Sequence, residues 1–136
     1  MKFLESVRAI LKGGTASFNE FELMVLNALS KELPAESRER LQTCLRAINF
    51  VARLDGGREV NTYVLRKWRP VLPDATRIDN SKGEKVWAKF QIEGPPGTSN
   101  SGKVWLVDGS FFSIEFVNPT EHAEVSLVKA IRIKLA

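Results

Sequence analysis

The segment Gly97-Thr98-Ser99-Asn100-Ser101-Gly102-Lys103 has the residue types and spacing of a phosphate-binding loop. Such a loop cradles phosphates on backbone amides at a helix N-terminus, and it requires Ser or Thr directly after its lysine to hold magnesium. Here the next residue is Val104, and Val104–Val107 has the pattern of a strand that leads into a tight turn. We therefore predict a glycine-rich loop and no nucleotide site.

Few of the remaining residues could bind a metal or act as a nucleophile. His122 is the only histidine and Cys44 the only cysteine, and neither has a second ligand at the spacing of a structural zinc site. Cys44 falls on an apolar helical stripe, which predicts a core thiol, and His122 falls in a turn. No Gly-x-Ser-x-Gly nucleophile motif is present. The sequence therefore indicates no cofactor and no metal, and it favours a non-enzyme while leaving catalysis open.

A first group of candidate interaction residues lies on predicted strands. Trp87 and Lys89 alternate with apolar residues on one strand, and Trp105 does so on the next. Alternation would place all three side chains on one sheet face, opposite the core. The competing interpretation buries both tryptophans in a second small core, covered by residues 1–12 or by a long connection. The apolar Val107, on the same face as Trp105, favours that interpretation.

Arg66, Lys67, Trp68 and Arg69 form a second, densely basic group. They open residues 66–83, a stretch with prolines, turn-forming residues and no clear period, which predicts a long connection. Tryptophan and arginine are the commonest anchors of protein interfaces, and they also stack on the bases of single-stranded nucleic acids. This group is therefore a candidate binding surface, with an ordinary solvated face as the alternative.

Three polar residues could line a pocket in the space between the predicted helices and the sheet. Glu22 falls inside the apolar arc of a helix, where a carboxylate needs a partner or a wet edge. We expect it to pair with an arginine such as Arg53, and a role as a site acid in a cleft is the alternative. Together with Tyr63, these residues are the candidate lining of a small-molecule pocket.

Residues 17–48 have the pattern of a helical hairpin. Ser17 and Glu20 have the spacing of a capping box, and Pro34 suits the first turn of a second helix. Apolar residues recur at helical spacing on both helices. They are Phe18, Phe21, Val25, Ala28 and Leu29 on the first helix, and Leu41, Cys44, Leu45 and Ile48 on the second.

From Ile48 onward the period of the pattern changes from 3.6 to 2. The predicted strands are Phe50–Leu54, Arg58–Leu65, Glu84–Glu93, Lys103–Val107, Phe111–Val117 and Val125–Leu135. Asp108-Gly109 predicts a two-residue primed turn, since glycine takes a positive φ at no steric cost. On the last strand we expect Val125, Leu127, Ile131 and Ile133 to face the core.

Together these elements predict one α+β domain over residues 1–136. Residues 1–14 would form a short N-terminal helix or arm, and residues 17–48 the helical hairpin. Residues 49–136 would form a curved, mostly antiparallel β-meander of five to six strands, because nearly every link between strands is hairpin-like. The hairpin of helices would pack on this sheet.

The composition is that of an ordinary folded protein with a mild basic charge. Residues 1–82 hold fourteen Lys and Arg against ten Asp and Glu, whereas residues 83–136 hold six against six. The single cysteine excludes an intramolecular disulfide, and no apolar run approaches the ~20 residues of a membrane span. The charged N-terminus lacks the apolar core of a signal peptide. We therefore predict a cytoplasmic location and no membrane association.

These observations lead to three hypotheses on function. The leading one is a non-catalytic protein-interaction module, regulatory or inhibitor-like, that engages an unknown protein partner through the tryptophan-bearing sheet face or an edge strand. The first alternative is a small-molecule-binding protein or enzyme with its pocket between sheet and helices. The second alternative is single-stranded nucleic-acid binding through the basic group. An exposed edge strand could also pair with a second copy and form a homo-oligomer.

Overall fold

The computed structural model describes residues 14–136, so the predicted N-terminal helix or arm lies outside the described residues apart from Gly14. Two α-helices, α1 (Glu20–Glu32) and α2 (Ala35–Ala47), precede the strands. The strands are β1 (Phe50–Leu54), β2 (Glu59–Arg66), β3 (Arg69–Val71), β4 (Glu84–Glu93), β5 (Asn100–Val107), β6 (Ser110–Phe116) and β7 (Ala130–Leu135). The predicted α+β class, with a helical hairpin followed by an antiparallel sheet, is confirmed.

Helix α1 begins two residues later than the sequence predicts. Its N-cap is Asn19, whose side chain accepts the Glu22 N–H at 2.9 Å while the Glu22 carboxylate accepts the Asn19 N–H at 2.9 Å. The capping box is therefore Asn19–Glu22, and the predicted Ser17–Glu20 box is wrong. The reason is that the Ser17 carbonyl accepts hydrogen bonds from Thr15 and Arg53, which hold the preceding chain outside the helix.

The sheet has the order β1-β2-β6-β5-β4-β7, and every pairing is antiparallel. The short strand β3 pairs with β2 but lies outside this order. It brings the sheet to seven strands within residues 14–136. The strand beside β2 is β6 rather than β4, and β4 lies beyond both β6 and β5. The chain after β3 must therefore cross the sheet to the far side of β5 before β4 begins. This crossing accounts for the long stretch between Val71 and Glu84.

One face of the sheet packs against both helices and forms the main core. Phe116 packs within it, and its ring centroid lies 5.7 Å from that of Phe21 of α1 and 5.2 Å from that of Phe90 of β4. The opposite face, called the outer face below, carries a smaller buried cluster of Ala52, Tyr63, Val107 and Phe112. Burial of apolar area on both faces stabilises the sheet at roughly 25 cal/mol per Å².

The C-terminal strand is shorter than predicted. Residues Val125–Leu127 form a short 3₁₀ turn, and β7 begins only at Ala130. Ile131 and Ile133 pack against the main core as expected, but Leu127 is 45% exposed, so its predicted inward position is wrong. The turn interrupts the alternation on which that prediction rested.

The hairpin of β5 and β6 has the predicted turn. Val107 pairs with Ser110, and the two residues between them, Asp108 and Gly109, have φ of 48° and 83°. Gly102 in β5 lies so close to β6 that a Cβ there would be 2.0 Å from the Glu115 carbonyl oxygen. Lys103 lies within β5, so no helix follows the glycine-rich loop and the geometry of a phosphate cradle is absent.

Candidate interaction site

The basic group predicted to lie in a connection forms the tip of a β-hairpin. Arg66 of β2 pairs with Arg69 of β3, which leaves Lys67 and Trp68 as a two-residue turn. Their φ angles are 52° and 63°, and positive φ at both central residues is the signature of a type I′ turn. We call Arg66, Lys67, Trp68 and Arg69 the tip.

The turn is built from residues that disfavour its backbone conformation. Asn-Gly and Asp-Gly are the usual occupants of a type I′ turn because glycine, and to a lesser degree asparagine, tolerates positive φ. A bulky side chain such as tryptophan is a genuine outlier in this region, and each such residue costs on the order of 1–3 kcal/mol. The local strain at Lys67 and Trp68 therefore opposes folding. Strained residues of this kind concentrate at functional sites.

Burial of the Trp68 side chain does little to offset this strain. Its side chain is 79% exposed, the highest value among the large apolar residues of the described chain. Arg66, Lys67 and Arg69 are exposed as well. Within residues 14–136, no carboxylate forms an ion pair with any of these three cations. The tip thus presents an indole surrounded by three charges that the described residues leave uncompensated.

The base of the hairpin is held firmly to the sheet. Asn49, just before β1, receives the Leu65 N–H on its side-chain oxygen at 2.8 Å, and its amide donates to the Leu65 carbonyl at 3.0 Å. Leu65 and Val64 also pair with Pro70 and Val71 of β3. The proline is tolerated because β3 has no strand on its other side within the described chain. These bonds hold the tip in a defined position relative to β1.

The structure separates the two strand tryptophans that the sequence predicts on one face. A β-bulge in β4 sets Trp87 and Ala88 opposite the single residue Val104 of β5. As a result Trp87 packs against the main core rather than sharing a face with Lys89. Trp105 remains on the outer face, where the Lys103 ammonium lies 5.8 Å from its ring centroid. The predicted surface of Trp87, Lys89 and Trp105 is therefore not continuous.

The predicted ion pair of Glu22 is confirmed. The carboxylate of Glu22 is fully buried, and it accepts hydrogen bonds of 2.7 Å from both Nε and Nη2 of Arg53. Arg53 also donates to Thr15 Oγ1 at 2.8 Å. The pair fastens the start of α1 to β1. It leaves Glu22 with its hydrogen-bonding capacity used inside the fold.

Tyr63, the third candidate pocket residue, lies apart from this pair. It belongs to the cluster on the outer face, with its ring edge-on to Phe112 at a centroid distance of 5.7 Å. Arg53 reaches Glu22 on the helix-facing side of the same sheet. The three residues therefore do not line one cavity between helices and sheet.

Cys44 and His122 have the environments that the sequence predicts. Cys44 is buried against the Phe111 carbonyl, with its sulfur 3.8 Å from that oxygen, and desolvation raises the pKa of the thiol to about 12. A thiol in this setting stays protonated and is a poor nucleophile. His122 is 92% exposed. Within residues 14–136, no three His, Cys, Asp or Glu side chains are grouped so that they could hold a metal.

Sequence reasoning identified the residues of the tip but missed their structure. The usual hairpin signal is Asn-Gly or Asp-Gly, which Lys67-Trp68 does not match. A weaker signal was available, because Val64-Leu65-Arg66 and Arg69-Pro70-Val71 mirror one another about Lys67-Trp68 in size and charge, as the two arms of a short hairpin can. Neither α1 nor α2, the helices of the described chain, is long and apolar enough to cross a membrane.

Comparisons of the chain with protein-family models, with curated proteins and with solved structures found no match.

Proposed function

We propose that this protein is a non-catalytic interaction module, regulatory or inhibitor-like, that binds an acidic partner protein through the tip. The observation that carries the proposal is the exposed Trp68 on a strained two-residue turn. An Asn-Gly turn would close the same hairpin with less strain, so the fold gives no reason for the tryptophan. A role in binding explains the tryptophan, because tryptophan and arginine are enriched among the residues that dominate interface energies.

The tip has the parts needed to enter a cleft of the partner. An indole buries roughly 150–250 Å² of surface, which corresponds to about 4–6 kcal/mol at 25 cal/mol per Å² before the costs of association. Arg66, Lys67 and Arg69 would meet acidic groups at the rim of that cleft, where opposite charge accelerates encounter and selects the partner. A tip already held by Asn49 loses little conformational entropy on binding.

A protein partner is favoured over single-stranded nucleic acid by the arrangement of the aromatic residues. Proteins that bind single strands without sequence preference stack successive bases on several aromatic side chains along a charged groove. The tip offers one indole on a projecting turn, while Trp87 packs on the main core and Trp105 lies within β5. A small-molecule pocket has less support, because Glu22, Arg53 and Tyr63 do not share a cavity.

The test compares capture of partners by the wild-type chain and by two tip variants, Trp68→Ala and Arg66→Gln/Arg69→Gln. Each protein is immobilised and exposed to an extract of its source cells, and retained proteins are identified by mass spectrometry. We expect an acidic protein that the wild type retains, that Trp68→Ala loses, and that the double variant loses more readily as salt rises. Leu127→Ala removes an exposed apolar side chain elsewhere and should retain the partner.

A fluorescent single-stranded oligonucleotide distinguishes the alternative. If Trp68→Ala abolished tight, salt-sensitive binding of this probe and changed no captured protein, the tip would be a nucleic-acid site and the proposal would be wrong. A cytoplasmic location, predicted from the sequence, remains part of the proposal, and fractionation of the source cells tests it.

A further inference from the structure

In the part of the chain that the structure describes, the outer edge of β7 is a row of backbone groups without a neighbouring strand. Within residues 14–136, β7 pairs only with β4, whereas β1 at the opposite edge has a bridge to Thr15. The Ala136 N–H donates to the Trp87 carbonyl at 2.9 Å, so the backbone groups of Ala136 face β4. In an antiparallel ladder every second residue faces the partner strand, so Ile131, Ile133 and Leu135 direct their N–H and C=O groups outward.

Space for an added strand lies beside this edge. A groove of about 890 Å³ separates β7 from α1. Its apolar lining includes Leu23 and Met24 of α1 and Ile131 and Ile133 of β7, while charged residues of α1, among them Glu20 and Glu32, also line it. Leu23 is 40% exposed, so part of this lining faces solvent. Side chains that point to the helix side of an added strand would enter the groove and bury these residues.

The other side of the edge is strongly cationic. Lys89 of β4 lies directly opposite Lys103 of β5 and Lys134 of β7, so three lysines occupy one row across the outer face. Glu115 of β6 lies opposite Lys103 at the far end of this row, so the like charges that lack an acidic neighbour are those nearest the edge. Like charges directly opposite one another on neighbouring strands destabilise a sheet. Arg132 follows on the same face of β7, where it pairs with Glu93 at 3.0 Å. Within the described chain, no carboxylate forms an ion pair with Lys89 or Lys134.

We propose that β7 accepts an extended segment of a partner protein as an additional strand, with acidic residues alternating with apolar ones. The acidic residues would lie beside Arg132 and Lys134 on the outer face and relieve the row of like charges. The apolar residues would enter the groove beside Ile131 and Ile133. A second copy of this chain fits less well, because β7 contains Arg132 and Lys134 and no acidic residue, so self-pairing brings cations together.

The proposal is tested with a fluorescent ten-residue peptide in which glutamate alternates with valine, and with the same peptide carrying lysine in place of glutamate. We expect the glutamate peptide to bind with a Kd about tenfold lower or better, because each cross-strand charge pair changes sign between the two peptides. Amide exchange locates the site. On binding, the amides of Ile131, Ile133 and Leu135 should become protected, whereas those of Arg132 and Lys134 already face β4.

Two variants separate the backbone and charge contributions. Ile133→Pro removes an outward N–H, which an edge strand tolerates, and should weaken the glutamate peptide about tenfold. Arg132→Glu/Lys134→Glu leaves the backbone intact and should reverse the preference between the two peptides. This variant tests the proposal even if Ile133→Pro does not fold. Trp68→Ala should bind the glutamate peptide as the wild type does, which keeps this site distinct from the tip.

Three outcomes would overturn the proposal. The first is equal affinity for both peptides, and the second is binding without new protection at the three outward amides. The third is a concentration-dependent dimer of the free protein in which those same amides are already protected, since the edge would then belong to a second copy.

Discussion

The three tryptophans differ in environment although each belongs to a stretch with basic neighbours. Trp68 is 79% exposed on the turn, Trp87 packs against the main core, and Trp105 lies on the outer face near the Lys103 ammonium. A bulge of one residue decides the position of Trp87, because it moves that side chain to the helix-facing side. The residue type alone therefore does not indicate which tryptophan stabilises the fold.

Truncating Trp87 and Trp68 should have opposite consequences. We expect Trp87→Ala to lower the free energy of unfolding by about 2–3 kcal/mol, below the roughly 3–5 kcal/mol of a fully buried aromatic residue, because Trp87 is only partly buried. Trp68→Ala should change it by less than about 0.5 kcal/mol. Urea denaturation of both variants measures this difference. A larger loss for Trp68→Ala would show that Trp68 has a structural role.

The pair of Glu22 and Arg53 places a fully buried carboxylate against an arginine, so we expect stability to be sensitive to it. Arg53→Ala leaves a fully buried carboxylate without its two 2.7 Å donors, so we expect a loss of about 3–5 kcal/mol in urea denaturation. Arg58→Ala removes the arginine of an exposed pair with Asp55 and is the matched control, with an expected cost below about 1 kcal/mol. Equal losses in the two variants would contradict this account.

At the scale of elements, the connection between β3 and β4 is fixed to the β5–β6 turn. The Ile78 N–H donates to the Gly109 carbonyl at 2.7 Å, and Arg77 forms a bridge with Ser110. Asp79 then accepts bonds from the Ser81 hydroxyl at 2.5 Å and from the Lys85 ammonium at 3.0 Å. Partial desolvation alone would raise the pKa of Asp79, but these donors outweigh it and lower the pKa below its usual range.

The lowered pKa of Asp79 predicts how the connection responds to acid. A carboxylate with a depressed pKa in the folded state stabilises that state above its unfolded pKa of about 3.9 and loses this contribution as pH falls through the folded value. The difference in urea midpoint between wild type and Asp79→Asn should be constant above about pH 5 and shrink below about pH 4. Asp74→Asn, at a carboxylate 95% exposed, is the control. Parallel pH curves for wild type and Asp79→Asn would refute this role.

Local sequence signals predicted the elements that local chemistry determines. The apolar spacing of residues 17–48 and the Asp108-Gly109 turn both correspond to observed structure, since each depends on residues near in sequence. The order of the strands could not be predicted, because the pairing of β6 with β2 joins residues about fifty positions apart. The bulge at Trp87 depends on that same long-range register.

The composition of the sequence pointed to the residues of the candidate site, but the sequence did not reveal that they form a hairpin turn. The residues of the tip stood out as basic and aromatic, but Lys67-Trp68 departs from the turn chemistry that announces a hairpin. Locally unfavourable residues at a turn are informative only once the φ angles are known. The edge of β7 was equally out of reach, because which strand lies at an edge follows from the whole strand order.

At the scale of the whole molecule, two cationic surfaces face away from the main core. The tip carries three positive charges, and the row of Lys103, Lys89 and Lys134 crosses the outer face as far as the edge of β7. The net charge of +4 is modest, so it is this local grouping that favours acidic partners. Both surfaces are built on paired strands, which hold their side chains in fixed positions.

The most direct measurement replaces the strained turn with its least strained equivalent, Lys67→Asn/Trp68→Gly, and determines stability and partner binding on the same protein. We predict that the free energy of unfolding rises by about 1–2 kcal/mol, because Asn-Gly relieves the strain of two residues at positive φ while the greater freedom of glycine in the unfolded chain cancels part of that gain. Binding of the partner captured by the wild type should be lost. A variant that is less stable than the wild type, or that keeps its partner, would contradict the account.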